Sequence, residues 1–380
     1  MKNKLVELAV LFLRIGFTSF GGPAAHNSLM HLEFVEKRKW LDEQKFLDFM
    51  GAANLIPGPN STELAMHIGY QRAGWRGFII AGCCFILPAM SLTIMLTYYY
   101  KNFGTLLIAE QILYAIKPVI IAIILKAILS LGKSVLIGVE EIIIAAAALG
   151  MYLLGVNEIL ILLVCGLIMT ILKRLQQLNS PLMAIVFLPG FLAYPLFLFI
   201  QSGELPYLPS TLFLSFVKIG SVLYGSGYVL LAFLEGEFVK RLGWLTYAQL
   251  VDVVAIGQVT PGPLFTTATS IGYLLDGING AILSTTGIFL PAFIFVAISF
   301  PLVPHLRKSV WSSAFLNGVN ASSLTLMTGV SIKLARVSFV DPFTIVLGLV
   351  AVILVFRSKV NPTWFILGGA LIGALKALIG

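Results

Sequence analysis

The sequence predicts an all-α polytopic membrane protein built from two inverted-topology repeats with broken or re-entrant helices, about 9–13 membrane segments in all. Three observations carry that reading. First, the mean hydropathy is +0.97. With 58% of residues hydrophobic and 11% charged, there is too little polar surface to cover a soluble domain. Second, apolar runs of spanning length recur near 77–100, 113–132, 135–156, 158–172, 182–201, 278–303, 312–332, 342–356 and 362–379. They are helical, because only helices and closed barrels span lipid and the alternating strands of a barrel are missing. Third, the chain repeats itself.

Trp40-Leu41, Asp48 and Pro57-Gly58-Pro59 recur 204 residues later as Trp244-Leu245, Asp252 and Pro261-Gly262-Pro263. After one deleted residue the spacing becomes 203, matching Gly74, Gly77 and Leu87-Pro88-Ala89 to Gly277, Gly280 and Leu290-Pro291-Ala292. A duplicated hydrophobic pattern interrupted by Gly and Pro marks a transporter made of two structural repeats. The expected units are 1–175 and 205–380, joined by a connector at 176–204 that holds one span. Residues 5–22 have a mid-chain counterpart at 209–226, which argues against a cleaved leader.

Loop charges orient the two copies. Arg72, Arg76, Lys133, Lys173 and Arg174 fall on one face of the first copy and Lys101 on the other, so the five-residue face is expected to be cytoplasmic. In the second copy Arg307-Lys308 and Arg357-Lys359 share a face opposite Lys333 and Arg336, which turns that copy upside down. A multi-pass protein of the cell membrane follows, with its N-terminus cytoplasmic and its C-terminus outside. Much of the net charge of +8 is this topology signal. Cys83, Cys84 and Cys165 sit in apolar runs without metal-ligand spacing and are expected to be structural.

Four features are candidates for chemistry. The two Pro-Gly-Pro breaks stop one helix and let another restart, exposing amides and a positive dipole end suited to an oxyanion. Thr62 and Thr266 align beyond them as hydroxyl donors. A plain structural kink is the alternative. Gly21-Gly22, matched by Gly225-Ser226, reads as a second interruption whose amides face a ligand, or else as tight helix packing. Arg14 and Lys218 place one cation inside each repeat, facing a substrate path or snorkelling to the interface. Glu33 with Glu237 and Asp48 with Asp252 are matched carboxylates, for coupling or for interfacial ion pairs. Glu63, His26, His67, Lys117 and Lys126 have no ionisable mate. Lys126 is a candidate pathway charge, and the others are expected to be local or interfacial.

No zincin spacing, phosphate-binding loop or converging Ser/His/Asp set is present. An enzyme, a metal, a cofactor and a nucleic-acid partner are therefore not expected. The partners are an oxyanion and the lipid bilayer; a homodimer is compatible with the sequence without being specified by it.

The pattern Phe17-Thr18-Ser19-Phe20-Gly21-Gly22-Pro23-Ala24-Ala25-His26, Trp40-Leu41, Pro57-Gly58-Pro59 and Leu87-Pro88 resembles the chromate ion transporter family, long-chain two-domain type. The second half carries Lys218-Ile219-Gly220, Gly225-Ser226-Gly227, Gly243-Trp244-Leu245, Gln258 and Pro261-Gly262-Pro263. The resemblance implies chromate efflux, with sulfate as a similar competitor, and makes Gln258 a pocket residue. Asn54 stands where a second such Gln is expected, and Ser226 interrupts the second glycine cluster. The expected mechanism is alternating access around an oxyanion held near the midplane; an anion channel using the same broken helices is the alternative.

Overall fold

A computed structural model describes residues 2–104, 106–178, 206–224, 227–299, 310–358 and 360–379. The expected span at 182–201, the rest of the connector from 179 to 204, and Gly225, Ser226, Arg307, Lys308 and Lys359 lie outside the described residues. Among the described residues the regular structure is all helical, as in an all-α polytopic membrane protein. The helices are α1 (Lys2–Thr18), α2 (Pro23–His31), α3 (Glu43–Ala53), α4 (Asn60–Phe103), α5 (Leu107–Val135), α6 (Val139–Leu153) and α7 (Glu158–Leu178). After the connector come α8 (Pro209–Val222), α9 (Leu230–Leu234), α10 (Tyr247–Val259), α11 (Thr267–Ser299), α12 (Val310–Ser338), α13 (Pro342–Arg357) and α14 (Pro362–Ile379). Among the described residues, Asn60–Phe103, Leu107–Val135 and Leu264–Ser299 are long and apolar enough to cross a bilayer.

The two halves use the same local devices in the same order. Each has a short π-helical stretch, Leu32–Lys37 and Glu235–Arg241, closed by five-residue bonds from Arg38 N to Glu33 O and from Leu242 N to Glu237 O. Asp42 caps α3 through the amide of Lys45, and Thr246, at the equivalent position, caps α10 through the amide of Gln249. Inside α4 the chain turns at Ala73 (φ −147°) and Gly74 (φ +63°); inside α11 it turns at Asp276 (φ −141°) and Gly277 (φ +58°). Only glycine adopts the second conformation cheaply, which explains the repeated residue.

At each turn the short arm folds back on the long one. A Cβ on Gly69 would sit 2.4 Å from the carbonyl of Gly77, and one on Gly272 would sit 2.1 Å from that of Gly280. Backbones approach this closely where a contacting residue is glycine, and here both are. In lipid, where apolar side chains gain nothing by leaving solvent, such close packing is the main attraction between helices. Gly16 against Phe85 O and Gly220 against Ile288 O dock α1 on α4 and α8 on α11 in the same way.

The breaks are therefore tips of hairpins. Arg38 and Arg72 both reach Glu7, at 2.6 and 3.1 Å, and Arg72 lies 4.2 Å over the ring of Trp40. The outer ends of α1, the π stretch, α3 and the short arm of α4 thus gather in one place. In the second half Tyr207 joins Asp276 at 3.0 Å and packs on Trp244. Lys101, at the far end of the long α4 arm, donates to Leu274 O at 3.0 Å, beside that second gathering point. A large apolar core joins Ile120 and Ile124 of α5, Val253 and Val254 of α10, Phe216 of α8 and Met327 of α12, tying the halves together.

Candidate functional site

The four breaks meet pairwise, each across the two halves. The Gly58 amide donates to Leu223 O at 2.9 Å, and the Gly262 amide donates to Ser19 O at 2.8 Å. Gly58 is 204 residues before Gly262, and Ser19 is 204 residues before Leu223, so the two bonds are equivalent contacts exchanged between copies. The Leu-Pro-Ala repeats serve the same exchange: Gly262 packs on Ala89, and Gly58 on Ala292. Gly58 (φ +139°) and Gly262 (φ +91°) combine a left-handed backbone with no room for a Cβ.

One pocket opens between the first glycine break and the second Pro-Gly-Pro break, lined by Gly21, Gly22, Tyr228, Gln258, Thr260 and Gly262. Tyr228 donates to Gln258 Oε1 at 3.5 Å, while Gln258 Nε2 is buried with no hydrogen-bond partner among the described residues. Asn361, just ahead of α14, donates to Phe20 O at 2.9 Å and holds the glycine break from outside. Gln258 Nε2 offers a donor to an acceptor-rich ligand here, while the Gly262 amide and the Thr260 hydroxyl already donate to Ser19 O and Gly257 O.

Pro57, Gly58, Pro59, Pro261, Gly262 and Pro263 are all buried at the tips. Thr62 and Thr266 are wholly buried as well. Thr266 Oγ1 donates to Pro263 O at 2.9 Å, and Thr62 Oγ1 has no partner among the described residues. Asn54 is exposed and accepts from Asn60 at 2.5 Å. The sequence-predicted charges stand apart from this group. Arg14 is exposed on α1. Lys218 pairs with Glu237, which also takes Arg241 and a 2.6 Å bond from Ser215. Glu33 holds Arg38 at 2.9 Å and Lys37 at 3.5 Å, and Arg38 keeps its carboxyl below the usual carboxylate range. Asp48 accepts from Gln44 at 3.1 Å on the surface. Asp252 is buried, 3.0 Å from Lys117 and 3.0 Å from the Tyr100 hydroxyl. Lys126, expected as a pathway charge, donates to Val355 O at 2.6 Å and also to Ser358 O, finishing the C-terminus of α13.

The largest correction concerns three residues without mates. His26, Glu63 and His67, expected to be local or interfacial, are wholly buried. His26 bridges the breaks: Nε2 donates to Ser19 O at 3.2 Å, leaving Nδ1 to accept from Ser61 at 3.0 Å. Ser19 O thereby serves both His26 and Gly262. The equivalent positions in the second half are Leu230 and Phe265, an apolar pair. Comparing the halves by position discards such residues, because it rewards likeness; the family-like Pro23-x-x-His26 spacing was the signal that could have found His26. Among the described residues no three His, Cys, Asp or Glu side chains gather as a metal site.

A family model described as "Chromate transporter" matches residues 6–170 and again 210–374. A chromate transport protein of Cupriavidus metallidurans is 30% identical over 97% of this chain and 92% of its own length. One of Pseudomonas aeruginosa is 29% identical over 97% and 92%. A probable chromate transport protein of Synechococcus elongatus is 29% identical over 92% and 89%. No solved structure matches.

Proposed function

The chain belongs to the chromate transporter family, and from that premise we propose that it is a secondary transporter. Its substrate is chromate or a sulfate-like oxyanion, moved across the cell membrane in the direction of efflux. The observation that carries this reading is the reciprocal meeting of the breaks, Gly58 with Leu223 and Gly262 with Ser19, beside unpartnered donors at Gln258 and Thr62. The positive end of a helix start attracts a dehydrated anion, and here each half contributes one.

Alternating access and an inverted relation of units 1–175 and 205–380 are part of the proposal, with the connector 176–204 supplying the odd span. The hairpins of the first half open beside Glu7 and Trp40, those of the second beside Lys101. The long arm of α4, residues 75–103, separates these groups by about 40 Å at 1.5 Å per residue, a membrane's thickness. A cytoplasmic N-terminus and an outward C-terminus follow from the loop charges. Either pair of hairpins could rock against the other about the shared tips.

Purified protein in liposomes should take up labelled chromate with saturation, lose uptake when sulfate competes, and show counterflow from liposomes preloaded with chromate. Uptake linear in concentration with no counterflow would instead identify a fixed anion pore.

A further inference from the structure

Glu63 stands four residues past Pro59, in the first turn of the short α4 arm. The residue is wholly buried, and neither carboxylate oxygen has a hydrogen-bond partner among the described residues. It touches the tip itself: a Cβ on Gly58 would lie 2.2 Å from Glu63 Oε1. The equivalent residue of the second half is Thr267, whose hydroxyl donates to Leu264 O at 2.8 Å and cannot ionise. Only the first half therefore carries this group.

The titratable groups around it are few. His67 lies one turn further along the same arm, stacked on Phe49 of α3 at 5.3 Å. Tyr224, from the second half's glycine break, is near enough to sense a charge on Glu63. His26 of α2 is committed to Ser19 and to Ser61, two residues before Glu63. No lysine or arginine bonds to either carboxylate oxygen among the described residues.

An ionised carboxylate enclosed without a partner is strongly disfavoured, so the tips close over Glu63 only as the neutral acid, and an arrangement open to mildly alkaline water leaves it ionised. An oxyanion on the neighbouring amides adds repulsion between like charges. Binding of the anion and protonation of Glu63 must then favour each other, and linkage makes the effect mutual. We infer that Glu63 is the coupling proton site of the transporter, an inference that rests on the oxyanion-transport reading above. The carboxyl takes its proton from water on the side where the anion enters and returns it to water on the side where the anion leaves. A divalent anion accordingly crosses with one proton and a net single negative charge.

The test is proton uptake on binding. Solubilised wild type in weak, mildly alkaline buffer, where chromate itself is fully dianionic, is titrated with chromate while a pH dye is followed. About one proton should be taken up per anion bound, with affinity falling as pH rises. Binding without proton uptake overturns the proposal and leaves the transport reading standing. A wild type that neither binds nor moves chromate or sulfate overturns both. In Glu63→Gln, proton uptake and the pH dependence of affinity should vanish together, and their persistence overturns the assignment. Should that variant not fold, the wild-type titration still decides whether a proton is taken up, and His67→Asn and His26→Asn identify its carrier. Loss of uptake in either folded histidine variant removes Glu63 from the role.

Discussion

The Gly262 amide of the second half is hydrogen-bonded to the Ser19 carbonyl of the first at 2.8 Å, and an equivalent bond runs back from Gly58 to Leu223. Each half thus finishes the broken helix of the other. The tips have little slack, because their amides and carbonyls would be orphaned in a dry interior if the halves separated.

Gly262→Ala should be among the most damaging single changes. The new Cβ would meet Ala89 Cβ at 2.8 Å in a backbone at φ +91°. Strain and overlap together predict a loss of about 2–4 kcal/mol. Gly74→Ala has the same kind of backbone, φ +63°, but open space around it, so only the strain of about 1–2 kcal/mol applies. Thermal unfolding in detergent should rank them in that order, with Ala89→Gly restoring part of the Gly262→Ala loss and none of the Gly74→Ala loss. Equal melting temperatures for the two glycine variants would contradict the packing described at the tips.

His26→Leu installs the residue of the second half, yet leaves buried Ser61 without its partner. The expected cost is about 1–3 kcal/mol. Ser61→Ala in the same chain should return part of it, so the double variant unfolds later than the sum of the singles. Strict additivity would mean that the His26–Ser61 bond contributes nothing.

The matched cations should behave differently from each other. Lys218→Gln leaves buried Glu237 with Arg241 and Ser215 only, whereas Arg14→Gln changes an exposed side chain. Transport should fall in the former and stay within about twofold of wild type in the latter. Loss of saturable uptake in Arg14→Gln, with folded yield intact, would return Arg14 to the substrate path.

His31 lies outside the membrane segments, and its bond to Glu43 at 2.7 Å raises its pKa above the ordinary value of 6.5. The stabilisation is fully present below 6.5 and is lost as pH rises through the higher folded value. Glu43 is exposed, so the effect should stay below about 1 kcal/mol. Melting temperatures should converge for wild type and Glu43→Gln on moving from mildly acidic to alkaline buffer. A constant difference would show that this pair does not titrate in that range.

The local devices were legible in the sequence because each depends on its own residues. Pro-Gly-Pro stops a helix wherever it stands, and the duplicated Gly74 and Gly277 announced matching turns. The partners of those devices were not legible. That Gly262 crosses to Ser19, or that Ala89 receives it, is a long-range fact with no periodicity to betray it. That the chain folds back at the breaks was equally hidden, since the loop charges are the same either way; the Arg38 and Arg72 contacts with Glu7 show it. Arg14 and Lys218 looked alike by position and differ because Glu237 is within reach of only one. Glu63 and His26 escaped because pairing the repeats favours what the halves share, while these residues belong to what they do not.

Oxyanion binding to purified Gln258→Leu and Thr62→Val, compared with wild type by direct titration, tests most directly whether the meeting helix breaks receive the anion. Each variant removes one unpartnered donor beside the tips, and affinity should fall about tenfold or more for each, with unfolding temperatures little changed. Wild-type affinity in both folded variants would place the anion somewhere else in the protein.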